Sequence, residues 1–344
     1  MRPGGTMSRF GFGAWLAVAI AGTAALTGCK TDTGGTKGGD SKLSGTVAID
    51  GSSTVYPVSE AIAESFGKVH PDVKVTVAVS GTGGGFKRFT AAETDISDAS
   101  RPIKASENAK AEENGVAFIE LPICYDGLTV AVHPTNDWVE ELTVEQLRSI
   151  FESGGVQKWS DIDPSFPDRP IKVYSPGSDS GTFDYFREAI VGSDNAFRPD
   201  MSVSEDDHIL VTGIAGDKYA IGYFGCAYYF ENKDKLKAVP VLNPKTGKAV
   251  LPAPETIEDG SYAPLSRPLF IYVNVKSLMR PEVKAFVDFY LENAPELSEE
   301  VGYVRLPEEV YDRAEANLKA GKTGSQYLDK HGDSVEGPVT EVYE

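Results

Sequence analysis

The stretch TVAIDGSSTVYPVSEAIAESF, residues 46–66, changes its period in the middle. Residues 46–49 read as a short strand, and Gly51-Ser52-Ser53-Thr54 interrupts it. Val58, Ile62, Phe66 and Val69 then recur at helical spacing until Pro71 stops the helix. A helix start presents unpaired backbone N–H groups and a partial positive charge. Hydroxyl side chains and glycines placed there make a cradle for an anion. The ordinary alternative is an N-cap, but one hydroxyl suffices for that. Two further turns share this chemistry: Ser80-Gly81-Thr82-Gly83-Gly84-Gly85 and Ser178-Asp179-Ser180-Gly181-Thr182. Three such turns point to an oxyanion held between converging helix ends.

Working outward, strands and helices alternate, which favours an α/β class. VKVTVAV (73–79) alternates as a strand and runs into the Ser80 turn, with a short helix expected over 86–92. DISDASR (95–101) reads as a polar strand and turn, with further strands at 116–121 and 128–132. Thr143 and Gln146 form a capping box for a helix to Phe151. Residues 171–174 form a strand before the third turn, and a helix with Phe183, Phe186 and Ile190 follows it. A capped helix is expected over 204–214, strands at 220–224 and 269–275, and helices from Pro281 and over 308–320. The tail after Gly321 reads as polar loop.

The turns fit no standard nucleotide or hydrolase motif. No Gly-Lys-Ser/Thr follows Ser80–Gly85, and Phe86 stands where a dinucleotide fingerprint needs its last glycine. The register around Ser180 fails the nucleophile elbow. His70, His133, His208 and His331 lie beside no nucleophile and form no metal-spaced pair. No catalytic residue, metal or cofactor is therefore assigned, although a secreted serine or phosphoester hydrolase using Ser180 stays open as an alternative. DISDASR carries the discriminating chemistry. Arginine is a bidentate oxyanion donor, and a neighbouring carboxylate accepts a hydrogen bond only from an anion that bears a proton. Phosphate does so at neutral pH and sulfate does not.

The chain has 344 residues, 41% of them hydrophobic, and a formal net charge of −18. Its length allows two domains. The charge excludes a nucleic-acid partner, which would need a basic face, but not a small buried anion. Arg2 and Arg9 precede a short apolar run that ends Leu26-Thr27-Gly28-Cys29. Residues 1–28 thus read as a lipoprotein-type signal peptide, Cys29 as the lipidated residue and 29–44 as a flexible tether. In an exported chain Cys124 and Cys226 leave both a disulfide and two buried thiols open.

DGSSTVYPVSEAIAESF (50–66), SGTGGGFKRF (80–89), DISDASRPIK (95–104), YDGLTVAV (125–132), LTVEQLRSIF (142–151), SPGSDSGTFDYFREAI (175–190), AIGYFGCAYY (220–229) and SRPLFIYV (266–273) together resemble the phosphate-binding protein of the bacterial Pst-type ABC transporter. The resemblance implies a two-lobed α/β, type II periplasmic-binding-protein fold, with a hinge of two crossing strands and the ligand in the inter-lobe cleft. Lobe 1 would be 45–127 plus 268–344, and lobe 2 would be 128–267. It implies inorganic phosphate as ligand, membrane permease subunits as partners, and a monomer anchored outside the cytoplasm by its lipid. The ligand residues carried over are Ser53, Thr54, the Val55 backbone N–H, Ser80, Ser180, Gly181 and Thr182. The best-known members have an arginine four residues before the serine of the third turn, where Pro176 stands here. Ser100 falls at their aspartate. Arg101 is therefore expected to supply the positive charge, and Asp98 or Asp179 to accept the ligand's proton. Sulfate, molybdate and arsenate stay open as alternative ligands.

Overall fold

The alternation of strands and helices builds a nine-stranded mixed sheet, beside a separate two-stranded one, in a computed structural model that describes residues 42–178, 180–192, 195–204 and 206–344. The signal peptide, Cys29, most of the tether and Asp179 lie outside the described residues. Residues 42–344 fold as one unit. β1 (Gly45–Gly51) leads into α1 (Tyr56–Val69), β2 (Val73–Val79) into α2 (Gly81–Thr90), and β3 (Ile96–Ala99) into α3 (Ala105–Glu113). The long β4 (Phe118–Val132) follows, then α4 (Val144–Phe151), β5 (Lys172–Pro176) and α5 (Gly181–Phe186). Next come β6 (Ser202–Ser204), α6 (Asp207–Ala215), β7 (Ala220–Gly225) and α7 (Cys226–Glu231). The short β8 (Lys237–Ala238), β9 (Val241–Leu242) and β10 (Ala249–Val250) precede α8 (Pro254–Glu258). β11 (Ser266–Asn274), α9 (Pro281–Glu300), α10 (Glu308–Ala320) and α11 (Val339–Val342) complete the order.

The strands lie in the order β2-β1-β3-β11-β4-β7-β5-β6, with β8 beside β4. β1 is parallel to β2 and β3 at one end, and β5 is parallel to β6 and β7 at the other. Between them β11 runs antiparallel to β3 and β4. All three hydroxyl turns follow the carboxyl ends of parallel strands, β1, β2 and β5. In open α/β sheets that is where ligands are bound.

Several expectations need correction. The strands expected at 116–121 and 128–132 are one strand, β4, buried over its whole length. Pro122 lies inside it opposite Phe270, where the register with β11 shifts. A residue without an N–H is tolerated at such an irregularity. The helix α2 begins at Gly81 rather than Phe86. The helix expected from residue 204 begins at Asp207, capped by the Asp206 carboxylate, because 202–204 pair with β5 as β6. In α1, Val58, Ile62 and Phe66 are buried, with Phe66 edge-on to Phe286 and Phe289 of α9, whereas Val69 is 60% exposed. Its place in the buried set goes to Ser59, which shares a hydrogen bond with Tyr290.

Of the two alternatives open for the cysteines, the structure has the buried thiols. Cys124 and Cys226 are free and buried. Cys226 Sγ sits over Gly127, within 3.0 Å of where a Cβ would be, and accepts the Thr129 hydroxyl. Burial pushes both thiols well above their ordinary pKa. The tail after Gly321 is no loose loop, since Tyr327, Val339 and Tyr343 are buried. The Glu120 carboxylate anchors it by accepting from Ser325 Oγ (2.5 Å), the Gln326 N–H (2.9 Å) and Tyr272 Oη (2.7 Å).

Candidate functional site

The first turn is the centre on which the other two converge. Gly51 pairs with Asp98 across β1 and β3, and at a φ of 153° it has no room for a side chain: a Cβ there would lie 2.1 Å from the Asp98 carbonyl oxygen. The second turn closes from one side. The Ser80 N–H donates to the Gly51 carbonyl, and a Cβ on Gly85 would stand 2.5 Å from Gly51 Cα. Ser80 itself is exposed, at the N-cap of α2. Thr82, in the first turn of the helix, exchanges a hydroxyl hydrogen bond with Ser100 and accepts the Ser100 N–H.

The third turn closes from the far end of the sheet. A Cβ on Gly181 would meet Thr54 Cα at 2.5 Å and Thr54 N at 2.8 Å. Thr54 Oγ1 donates to the Gly181 carbonyl (3.3 Å), and Ser53 Oγ donates to Asp184 (3.0 Å). Ser180 caps α5 by accepting the Thr182 N–H, and Thr54 N–H is held in the same way by Ser52 Oγ. Val55 is the buried N-cap of α1. The sequence-predicted Ser53, Thr54, Val55, Ser180, Gly181 and Thr182 are thus brought together from distant parts of the chain.

The expected charged residues fall elsewhere. Arg101 is a fork already filled: both its terminal nitrogens bond Glu107, at 2.8 and 2.9 Å, and its guanidinium lies over Phe86. Asp98 is 1% exposed and neither of its oxygens has a hydrogen-bond partner. Burial pushes its pKa up to about 7; the neighbouring Ser59 hydroxyl opposes this without closing a hydrogen bond, and Asp50 adds to it. Asp50 in turn is bonded by Arg88 at 2.6 Å. Ser100 is buried and committed to Thr82.

The guanidinium that does reach a turn is Arg267. Its Nη2 donates to Thr54 Oγ1 at 3.0 Å and its Nη1 to Glu188 at 3.1 Å. Its plane lies on the Tyr185 ring, with Cζ 3.6 Å from the ring centroid. Nε is ion-paired with Asp126 Oδ2 at 3.6 Å, beyond hydrogen-bond reach, and both atoms are buried without a hydrogen-bond partner. Burial pushes Asp126 up to about 6, with the Arg267 charge pulling the other way. Tyr303 completes the first turn by donating to the Thr54 carbonyl at 2.6 Å. Arg267 and Asp126 are register partners on β11 and β4. Each stands in a stretch quoted above, SRPLFIYV and YDGLTVAV, but only the strand pairing brings them together.

A family model described as a PBP superfamily domain matches residues 36–294. Protein SphX of Synechococcus elongatus is 48% identical over 295 residues, 84% of this chain and 87% of that protein. The phosphate-binding protein PstS of Staphylococcus epidermidis is 40% identical over 316 residues, 92% of this chain and 94% of that protein. The chain belongs to the PstS family of phosphate-binding proteins. The solved structure of a possible phosphate binding protein from Planctomyces limnophilus superposes with a TM-score of 0.79 at 46% identity, covering 81% of this chain and 99% of that one. Within this PstS-like frame the absence of an arginine at Pro176 leaves Arg267 as the guanidinium hydrogen-bonded to a hydroxyl turn, among the described residues.

Proposed function

We propose that this chain is an extracytoplasmic receptor that binds inorganic phosphate and delivers it to the permease subunits of an ABC transporter. The observation that carries this reading is the meeting of two hydroxyl turns, Gly181 against Thr54, within a PstS-type fold. Residues 45–127 with 268–344 would form one lobe and 128–267 the other, joined by the strands β4 and β11. Phosphate would enter with the lobes apart and be held by Ser53, Thr54 and Val55 from one side and Ser180, Gly181 and Thr182 from the other. Ser80 would border the site. Binding energy realised only when both turns reach the anion would favour the closed state. Asp98, with two unpartnered oxygens, would accept the hydrogen that phosphate carries and sulfate lacks. Asp179 would remain the other acceptor of this kind. The Ser180 hydroxyl, used as a helix cap, supports a binding role over a nucleophilic one.

The signal peptide and the Cys29 anchor belong to the same proposal. They would hold a monomer outside the cytoplasm on a tether long enough to reach its permease. No helix of the described residues is long and apolar enough to cross a membrane. Thermal unfolding with and without phosphate tests the receptor reading. Ligand that binds only the folded state raises Tm by mass action, by about 4 kcal/mol of added stability at a thousand times Kd. An unchanged Tm in millimolar phosphate, or a larger rise with sulfate than with phosphate, would sink it.

A further inference from the structure

We infer that Arg267 is the cation of the anion site and that Asp126 is the carboxylate that aims it; the assignment rests on the receptor reading above. Three observations converge on this pair. First, Arg267 bonds Thr54 Oγ1 and stacks on Tyr185, so it touches the first turn and the helix behind the third. An anion seated between those turns lies beside it. Second, Arg267 Nε is buried without a hydrogen-bond partner, and so is Asp126 Oδ2, 3.6 Å away. A buried donor left unmade is costly, and an oxyanion would satisfy it. The guanidinium is a planar fork that takes oxygens of a tetrahedral anion, while the Asp126 carboxylate, on its Nε side, holds its plane. Third, the cation expected from the sequence, Arg101, has both terminal nitrogens on Glu107.

Glu188 supplies the contrast that makes the assignment testable. It takes Nη1 at 3.1 Å from a side chain that is 56% exposed. If Arg267 served only to clamp β11 to the segment around Glu188, the partner carboxylate would matter as much as the arginine. If Arg267 holds the anion, Glu188 is a competing internal carboxylate, and its charge is dispensable.

Calorimetric titration of the full-length chain with sodium phosphate decides between them. The wild type is compared with Arg267→Ala, Arg267→Lys and Glu188→Gln, each checked for folding by circular dichroism. Arg267→Ala should weaken binding about 100-fold or more, as loss of a charge-assisted bidentate contact does. Arg267→Lys keeps the charge but not the fork and should weaken it about tenfold; it also serves should the alanine variant not fold. Glu188→Gln should bind phosphate at least as tightly as the wild type. Binding by Arg267→Ala or Arg267→Lys at wild-type strength overturns the assignment, and so does a loss in Glu188→Gln equal to that of the arginine variants. A wild-type chain that binds no phosphate overturns the receptor reading itself and the assignment with it.

Discussion

At Asp98 the folded chain holds a carboxyl out of water with neither oxygen bonded, beside the charge of Asp50. Its pKa rises from 3.8 to about 7, so the folded state binds a proton more tightly than the unfolded chain does. Stability linked to this group is therefore full below 3.8 and is lost as pH rises through about 7. Asn at this position resembles the protonated acid and carries no such dependence. Asp98→Asn should gain stability relative to the wild type between pH 4 and pH 8, by up to about 4 kcal/mol. Denaturant unfolding at the two pH values measures the difference, and parallel pH profiles for the two proteins would refute it. The same burial that makes Asp98 expensive to charge would make it responsive to a proton-bearing ligand. Arg267 illustrates the complementary case: a cation whose guanidinium lies flat on Tyr185 while Nη1 and Nη2 donate to Glu188 and Thr54.

Among the elements, the terminal segment depends most on a single buried group. Glu120 stands on β4, and its carboxylate receives Ser325, Gln326 and Tyr272 while its carbonyl receives the Tyr343 hydroxyl. Glu120→Ala leaves three donors without their acceptor and should cost about 2–5 kcal/mol. It should also open residues 325–344 to limited proteolysis; a tail as protected as in the wild type would contradict this. Elements with a clean period were legible beforehand. The helix α1, the Thr143–Gln146 capping box and the helix α10 are where the spacing places them. The tail was not, because Tyr327, Val339 and Tyr343 are isolated apolar residues with no period, and they are buried by partners far away in sequence. The strands expected at 116–121 and 128–132 are one, and the residues that join them, Pro122 included, owe their place to the pairing with β11 and its register shift. The hydroxyl turns were legible as chemistry, since glycines and hydroxyls are local signals. The Arg267–Asp126 pair was not, because cross-strand pairing is the one relation that a linear pattern omits.

For the whole molecule, the decisive contact is Gly181 on Thr54. Gly181 opens α5 directly against Thr54. The Cβ of Gly181→Ala would stand 2.5 Å from backbone and force the turns apart. Phosphate affinity should fall at least about tenfold by the arithmetic of a disfavoured closed state. X-ray scattering should show less compaction with phosphate than the wild type shows, whereas equal compaction would rule the contact out as the closure point. A different consequence follows from the central strands. Gly127 and Ser266 are register partners at one end of the β4–β11 pairing, so the chain between them departs and returns at one place, adding β7, β5, β6 and β8 to the same sheet. β4 and β11 are therefore the two arms of a β-hairpin whose turn has grown into half a protein. Geometrically, residues 128–265 are an insert with adjacent ends, tied to the rest of the chain by the Gly181–Thr54 contact and by Arg267 on Tyr185 and Glu188.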